Sequence, residues 1–191
     1  METVPRDLFA PRRYGDLARQ DVALPLPCGE SMTAPTTVAA MLAALGARPG
    51  HRVFEVGTGS GYITALLACL GCTVTSWERR PLLAESARHR LAAAGYGETC
   101  RVLCEDGFGP MDPDARFDRI LLNGLVPGVP PEMTSRLGIG GRLVAGVAGE
   151  GGSRLLIVTR DPEGQLAARY GVPARLSRLM VNEVGSAETE A

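Results

Sequence analysis

Lysine is absent from this 191-residue chain, and all twenty of its basic residues are arginine, which reads as compositional bias. With a formal net charge of −1 and 5% aromatic residues, it carries no broad basic footprint for nucleic acid. No apolar run reaches membrane-spanning length and no signal peptide opens the sequence. The expectation is a cytoplasmic protein with no membrane partner. Histidine occurs only as His51 and His89, neither near the site inferred below, which argues against a histidine general base. Cysteine is scarcer than a disulfide framework needs, and the five are odd in number. Cys69 and Cys72 with Cys100 and Cys104 are misspaced for a zinc ribbon, so they are expected to be buried apolar thiols, with no metal.

What the chain does have is a strong local signal. Val53 to Val56 is a short apolar run that predicts a buried strand, Gly57, Gly59 and Gly61 follow at alternate positions, and Tyr62 to Leu70 predicts a helix. Strand, glycine turn and helix together place helix N–H groups beside a ligand. Cys72 to Trp77 predicts a second strand ending at Glu78, a carboxylate placed to accept from ribose hydroxyls. Arg101 to Cys104 predicts a third, leading to Asp106 for an adenine amino group and Phe108 as an apolar wall. Three strand ends thus describe an adenosine site. The G-x-G-x-G spacing favours S-adenosylmethionine over a dinucleotide, whose fingerprint is G-x-G-x-x-G/A. A tight glycine turn with no ligand is the bland alternative.

Pro35 to Leu45 predicts a helix with Val38, Met41, Leu42 and Leu45 on one stripe, and Thr33 is a good cap before it. Capping is the simpler role for Ser31 and Thr33; the sharper one is that they face the ligand. Pro81 to Ala94 predicts another helix and Phe117 to Leu122 a fourth strand, with Asn123 to Pro127 as the loop beyond it. Pro130 to Leu137 predicts a short helix, Gly141 to Val147 a fifth strand, and Arg154 to Tyr170 a hairpin before a frayed tail from Gly185.

Several segments, in order, resemble the protein-L-isoaspartate O-methyltransferase family: Val4-Pro5-Arg6-Asp7-Leu8-Phe9, Ala23-Leu24-Pro25-Leu26, Glu30-Ser31-Met32-Thr33-Ala34-Pro35, Val53 to Tyr62, Asp106-Gly107, and Pro131 with Gly140 to Val144. The resemblance implies an α/β Rossmann-like fold, a mostly parallel seven-stranded sheet with an antiparallel final strand and helices on both faces. It implies one methyltransferase domain, in which residues 1–35 cover the site, 36–149 form the cofactor-binding core and 150–191 a hairpin and tail. It also implies S-adenosyl-L-methionine as donor and a peptide or small-molecule carboxylate as acceptor. Thr33 falls beside the acceptor, where the family has serine, and Asn123 closes the pocket. Ser31, Met32, Glu55, Gly57, Thr58, Gly59, Ser60 and Gly61 would surround the methionine end, Glu78 and Arg79 the ribose, and Asp106 and Gly107 the adenine.

Three departures stand out. The family's helical extension before Val-Pro-Arg has no counterpart here, so an exposed apolar surface would favour a dimer or a partner. Asn123-Gly124-Leu125 stands where the family has Thr-Ala-Ala, and Ser177 to Asn182 only loosely follows its Val-Arg-Phe-Val-Pro-Leu. These leave open a specialised enzyme for a dedicated peptide or metabolite, a relative acting on nitrogen or carbon, or a non-catalytic cofactor-binding module.

Overall fold

The computed structural model describes residues 3–149 and 151–179. Its N-terminal segment has two 3₁₀ turns (Arg6–Leu8 and Arg12–Leu17), then a small antiparallel ladder of β1 (Leu24–Pro25) with β2 (Ser31–Met32). The first helix, α1 (Pro35–Leu45), ends at Gly46 in the left-handed conformation. β3 (Arg52–Val56), α2 (Tyr62–Cys69), β4 (Thr73–Trp77), α3 (Pro81–Ala93) and β5 (Cys100–Leu103) follow. After them come β6 (Phe117–Val126), α4 (Pro131–Ser135), β7 (Leu137–Gly149), β8 (Gly152–Arg160) and β9 (Leu166–Pro173).

Seven strands form one sheet in the order β5-β4-β3-β6-β7-β8-β9. β5, β4, β3, β6 and β7 run parallel, β8 is antiparallel to β7, and β9 is antiparallel to β8. This is the expected α/β sheet, whose chain direction changes only in its last strands. Strand alternation divides the core in two. Val53, Val74, Leu121 and Val144 face the helix side, where Met41, Leu67 and Leu83 of α1, α2 and α3 are buried. Phe54, Val56, Ile120 and Leu143 face the other side, covered by Met133 of α4. There Phe54 stacks on Phe117 at 5.1 Å and meets Trp77 edge-on at 5.4 Å.

Two expectations change. Asn123 to Val126, read as a loop, belongs to β6, because Leu125 pairs on its far side with the C-terminal segment. Leu125 N donates to Ser177 O at 2.8 Å and Leu179 N to Leu125 O at 2.9 Å, so this backbone stays extended. Of the cysteines, Cys72 is buried and Cys100 half-buried, whereas Cys28, Cys69 and Cys104 are exposed. Among the described residues no helix is long and apolar enough to cross a membrane. The frayed tail expected from Gly185, and Met180 to Asn182 of the terminal motif, lie outside the described residues.

Candidate functional site

The glycine turn sits at the carboxyl end of β3, an interior strand between β4 and β6. Gly57 has φ +89 and its N–H donates to Trp77 O at 2.8 Å, tying the turn to β4. Gly61 has φ +86 and lies against α3, where a Cβ would come 3.3 Å from Ala87 Cβ. The third glycine therefore serves helix packing, and the first two form the wall of a cleft.

Glu78, at the end of β4, is 6% exposed and closes one side of this cleft. Its Oε2 accepts from Gly59 N and its Oε1 from Arg80 N, both at 2.9 Å. Each oxygen keeps a second lone pair for a ligand hydroxyl. Arg80 in turn meets Glu30 at 3.4 Å, joining the start of α3 to the segment before β2.

The cleft gathers Ser31, Thr33, Gly57, Gly59, Glu78, Arg79, Gly107 and Asn123, and an adjoining recess adds Met32, Thr58 and Ser60. Thr33 is no helix cap. The cap position of α1 belongs to Ala34, and Thr36 N donates instead to the side chain of the distant Asp21 at 2.8 Å. Asn123 Nδ2 donates to Gly57 O at 2.9 Å, bracing the turn from β6.

Glu55, Gly61 and Asp106 do not line either opening. Glu55 shares the parity of Val53, so it points under α2 and is fully buried. Its Oε2 accepts from Thr64 at 2.6 Å and Ser76 at 2.7 Å. Burial pushes its carboxyl up to about 7, against those two hydrogen bonds. Asp106 shapes the turn that presents Gly107, its Oδ1 accepting from Phe108 N at 3.1 Å. Phe108 packs into the second core, and the apolar walls of the cleft are Val56 and Trp77.

Sequence reasoning missed Glu30, Val56, Trp77, Ser177, Arg178 and Leu179, which also line the cleft. The C-terminal residues arrive by the pairing with Leu125, and Ser177 Oγ meets Ser31 Oγ at 2.7 Å across 146 positions of sequence. The loose match of Ser177 to Asn182 to a family motif was their one signal. Both histidines are remote. His51 precedes β3 at the end opposite Gly57, and His89 is exposed on α3 beside Glu85 at 3.9 Å.

A glycine turn, a carboxylate with free lone pairs and apolar walls suit an adenosine-like ligand. Neutral hydroxyls beside it suit an acceptor that needs orientation rather than deprotonation.

Residues 1–177 match the family model described as protein-L-isoaspartate(D-aspartate) O-methyltransferase. The protein-L-isoaspartate O-methyltransferase of Methylorubrum populi is 42% identical over 160 residues, 84% of this chain and 74% of that one. The Methanopyrus kandleri protein of the same name is 39% identical over 173 residues, 88% of this chain and 76% of its own. A Plasmodium falciparum structure described as a putative protein-L-isoaspartate O-methyltransferase with S-adenosyl-L-homocysteine superposes with a TM-score of 0.83 at 18% identity. It covers 94% of this chain and 87% of its own, a likeness of fold. The chain is a member of the protein-L-isoaspartate O-methyltransferase family.

Proposed function

We propose that this chain transfers a methyl group from S-adenosyl-L-methionine to a carboxylate, with an isoaspartyl residue of a peptide as the acceptor. The observation that carries this reading is the convergence of Thr33, Gly57, Glu78 and Asn123 on one cleft at the carboxyl edge of the sheet. When bound, the sulfonium supplies an electrophilic methyl, which passes to a carboxylate oxygen as the carbon–sulfur bond breaks. Of the residues that line the cleft, Glu78 would accept from the ribose hydroxyls, Val56 and Trp77 would offer apolar surface to the base, and Gly57 would leave room for the methionine end. Glu55 holds no ligand atom in this reading. It supports the glycine turn from beneath.

A carboxylate is already ionised at neutral pH, so the site needs no strong base, in keeping with histidines remote from it. Alignment does the work, and holding reactants in attack geometry contributes about 7–11 kcal/mol. Thr33 donates to the acceptor carboxylate and Asn123 keeps the turn in place.

One observation favours a second reading, a dedicated peptide or metabolite as acceptor. Gly124 and Leu179 differ from the family's pattern and touch each other, so the acceptor wall has changed as a unit. Transfer of labelled methyl separates these readings. Base-labile label on an isoaspartyl peptide, reduced at least tenfold by Thr33→Ala at unchanged affinity for S-adenosyl-L-homocysteine, supports the first. Base-labile label on another carboxylate, with none on the isoaspartyl peptide, supports the second, and base-stable label, or none on any carboxylate, overturns both.

A further inference from the structure

Arg6 is buried at 6% exposure, and no carboxylate among the described residues forms an ion pair with it. Its guanidinium gathers backbone carbonyls instead. Nη1 donates to Ala18 O at 3.1 Å and reaches Gln20 O at 3.5 Å, while Nη2 donates to Val22 O at 2.9 Å and Thr33 O at 3.1 Å. Three of these carbonyls lie on the turn that leads into β1. The fourth belongs to the residue assigned above to the acceptor.

The same turn carries Asp21. Its Oδ1 accepts from Thr36 N at 2.8 Å and its Oδ2 from Thr36 Oγ1 at 2.6 Å. These hydrogen bonds hold the Asp21 carboxyl below its ordinary value. Thr33 and Ala34 are the two residues between β2 and α1. One side of that link is held by Arg6 at the Thr33 carbonyl. The other is held by Asp21 at the first turn of α1.

We propose that Arg6 and Asp21 form a two-point clamp that positions the Thr33 hydroxyl for the acceptor, without touching acceptor or cofactor. This deepens the proposed function and rests on Thr33 facing the acceptor. Thr33 sits on a two-residue link, and a hydroxyl must be held to about 0.5 Å to align a reacting group. Arginine is needed at position 6 because a planar fork with five donors reaches several carbonyls at once, whereas a lysine ammonium is one point of charge. The clamp acts on geometry at one end of the cleft. The glycine turn, tied separately to Glu78 and Asn123, is not part of it.

The test uses Asp21→Ala, at an exposed position, which removes both acceptors of Thr36 and leaves the core intact, together with Arg6→Lys and Thr33→Ala. Affinity for S-adenosyl-L-homocysteine is measured by calorimetry, and kcat and KM with an isoaspartyl peptide. Asp21→Ala and Arg6→Lys are expected to lower kcat about tenfold with cofactor affinity within twofold of the parent. Adding Asp21→Ala to Thr33→Ala is expected to cost no further activity, since the clamp works through that hydroxyl. A multiplicative loss in the double variant, unchanged kcat in Asp21→Ala, or a matching loss of cofactor affinity overturns the clamp. If Thr33→Ala alone leaves turnover unchanged, the acceptor assignment falls and the clamp with it. A tenfold loss in Thr33→Ala with none in Asp21→Ala removes only the clamp.

Discussion

Ser76 Oγ donates to Glu55 Oε2 at 2.7 Å, which leaves the serine oxygen to accept from the Thr58 hydroxyl 2.5 Å away. Hydroxyl protons therefore run in one direction, from the glycine turn through β4 to a buried acid on β3. Thr64 donates to the same Glu55 oxygen, while Oε1 has no partner among the described residues. The acid is thus half-satisfied, and protonation relieves the cost of burying its charge.

That arrangement makes stability depend on pH. Glu55 is raised from 4.5 to about 7 by burial, so between these values the folded chain binds a proton that the unfolded chain does not. Stability contributed by this group is complete below about pH 4.5 and declines as pH rises toward 7, by roughly 3 kcal/mol. Glu55→Gln, which keeps the shape of the neutral acid, is expected to abolish this decline. Urea midpoints taken every half pH unit for both proteins check it. Parallel profiles would show that Glu55 titrates normally.

Glu78 uses both oxygens on backbone N–H groups while closing the cleft. Glu78→Gln turns one acceptor into a donor facing an N–H, and loses the charge that would hold the ribose. Hydrogen bonds to charged groups are worth about 1.5–3 kcal/mol, so affinity for S-adenosyl-L-homocysteine is expected to fall roughly tenfold to a hundredfold. Calorimetry measures the change. Undiminished affinity would take Glu78 out of the ligand site.

What was legible in the sequence was local. The run Val53 to Val56, the alternate glycines, Pro35 and Pro81 at helix starts and Gly46 at a helix end act within a few residues, so periodicity and backbone preference revealed them. Contacts across long stretches left no comparable mark. Nothing near Thr36 announces that Asp21 satisfies its N–H, and nothing near Asn123 announces the segment that keeps it in a strand. Glu55 is different, because its orientation was readable. It lies two residues from Val53 on a strand and must share that face, away from the cleft formed by Val56.

Cys28 lies two residues before the cleft residue Glu30 and has φ +63, the left-handed region that costs a side-chain-bearing residue about 1–2 kcal/mol. Cys28→Gly removes that cost but adds freedom to the unfolded chain, so the net gain is about 1 kcal/mol at most. A melting point raised by up to roughly 4 °C, with methyl transfer retained, is expected for a chain of this length. Scanning calorimetry measures it. A lowered melting point would mean that the thiol makes a contact worth more than the strain.

Gly124 packs directly behind the segment Ser177–Leu179, which lines the cleft. A Cβ there would come 2.8 Å from Leu179 Cβ and 3.1 Å from both Leu179 N and Ser177 O. Two of those atoms are backbone and cannot rotate away, so Gly124→Ala must push the segment Ser177–Leu179 outward and stretch its hydrogen bonds to Leu125. Overpacking of this kind costs about 1–3 kcal/mol. The displaced residues line the cleft, so affinity for S-adenosyl-L-homocysteine is expected to fall about tenfold while β3 and β4 stay as they are. Adding Leu179→Gly removes the 2.8 Å contact and is expected to restore part of the affinity, a coupling that independent sites would not show. Affinities of the two single variants and the double variant, taken with the parent as one cycle, decide it. Strict additivity would mean that the segment does not bear on Gly124 in solution.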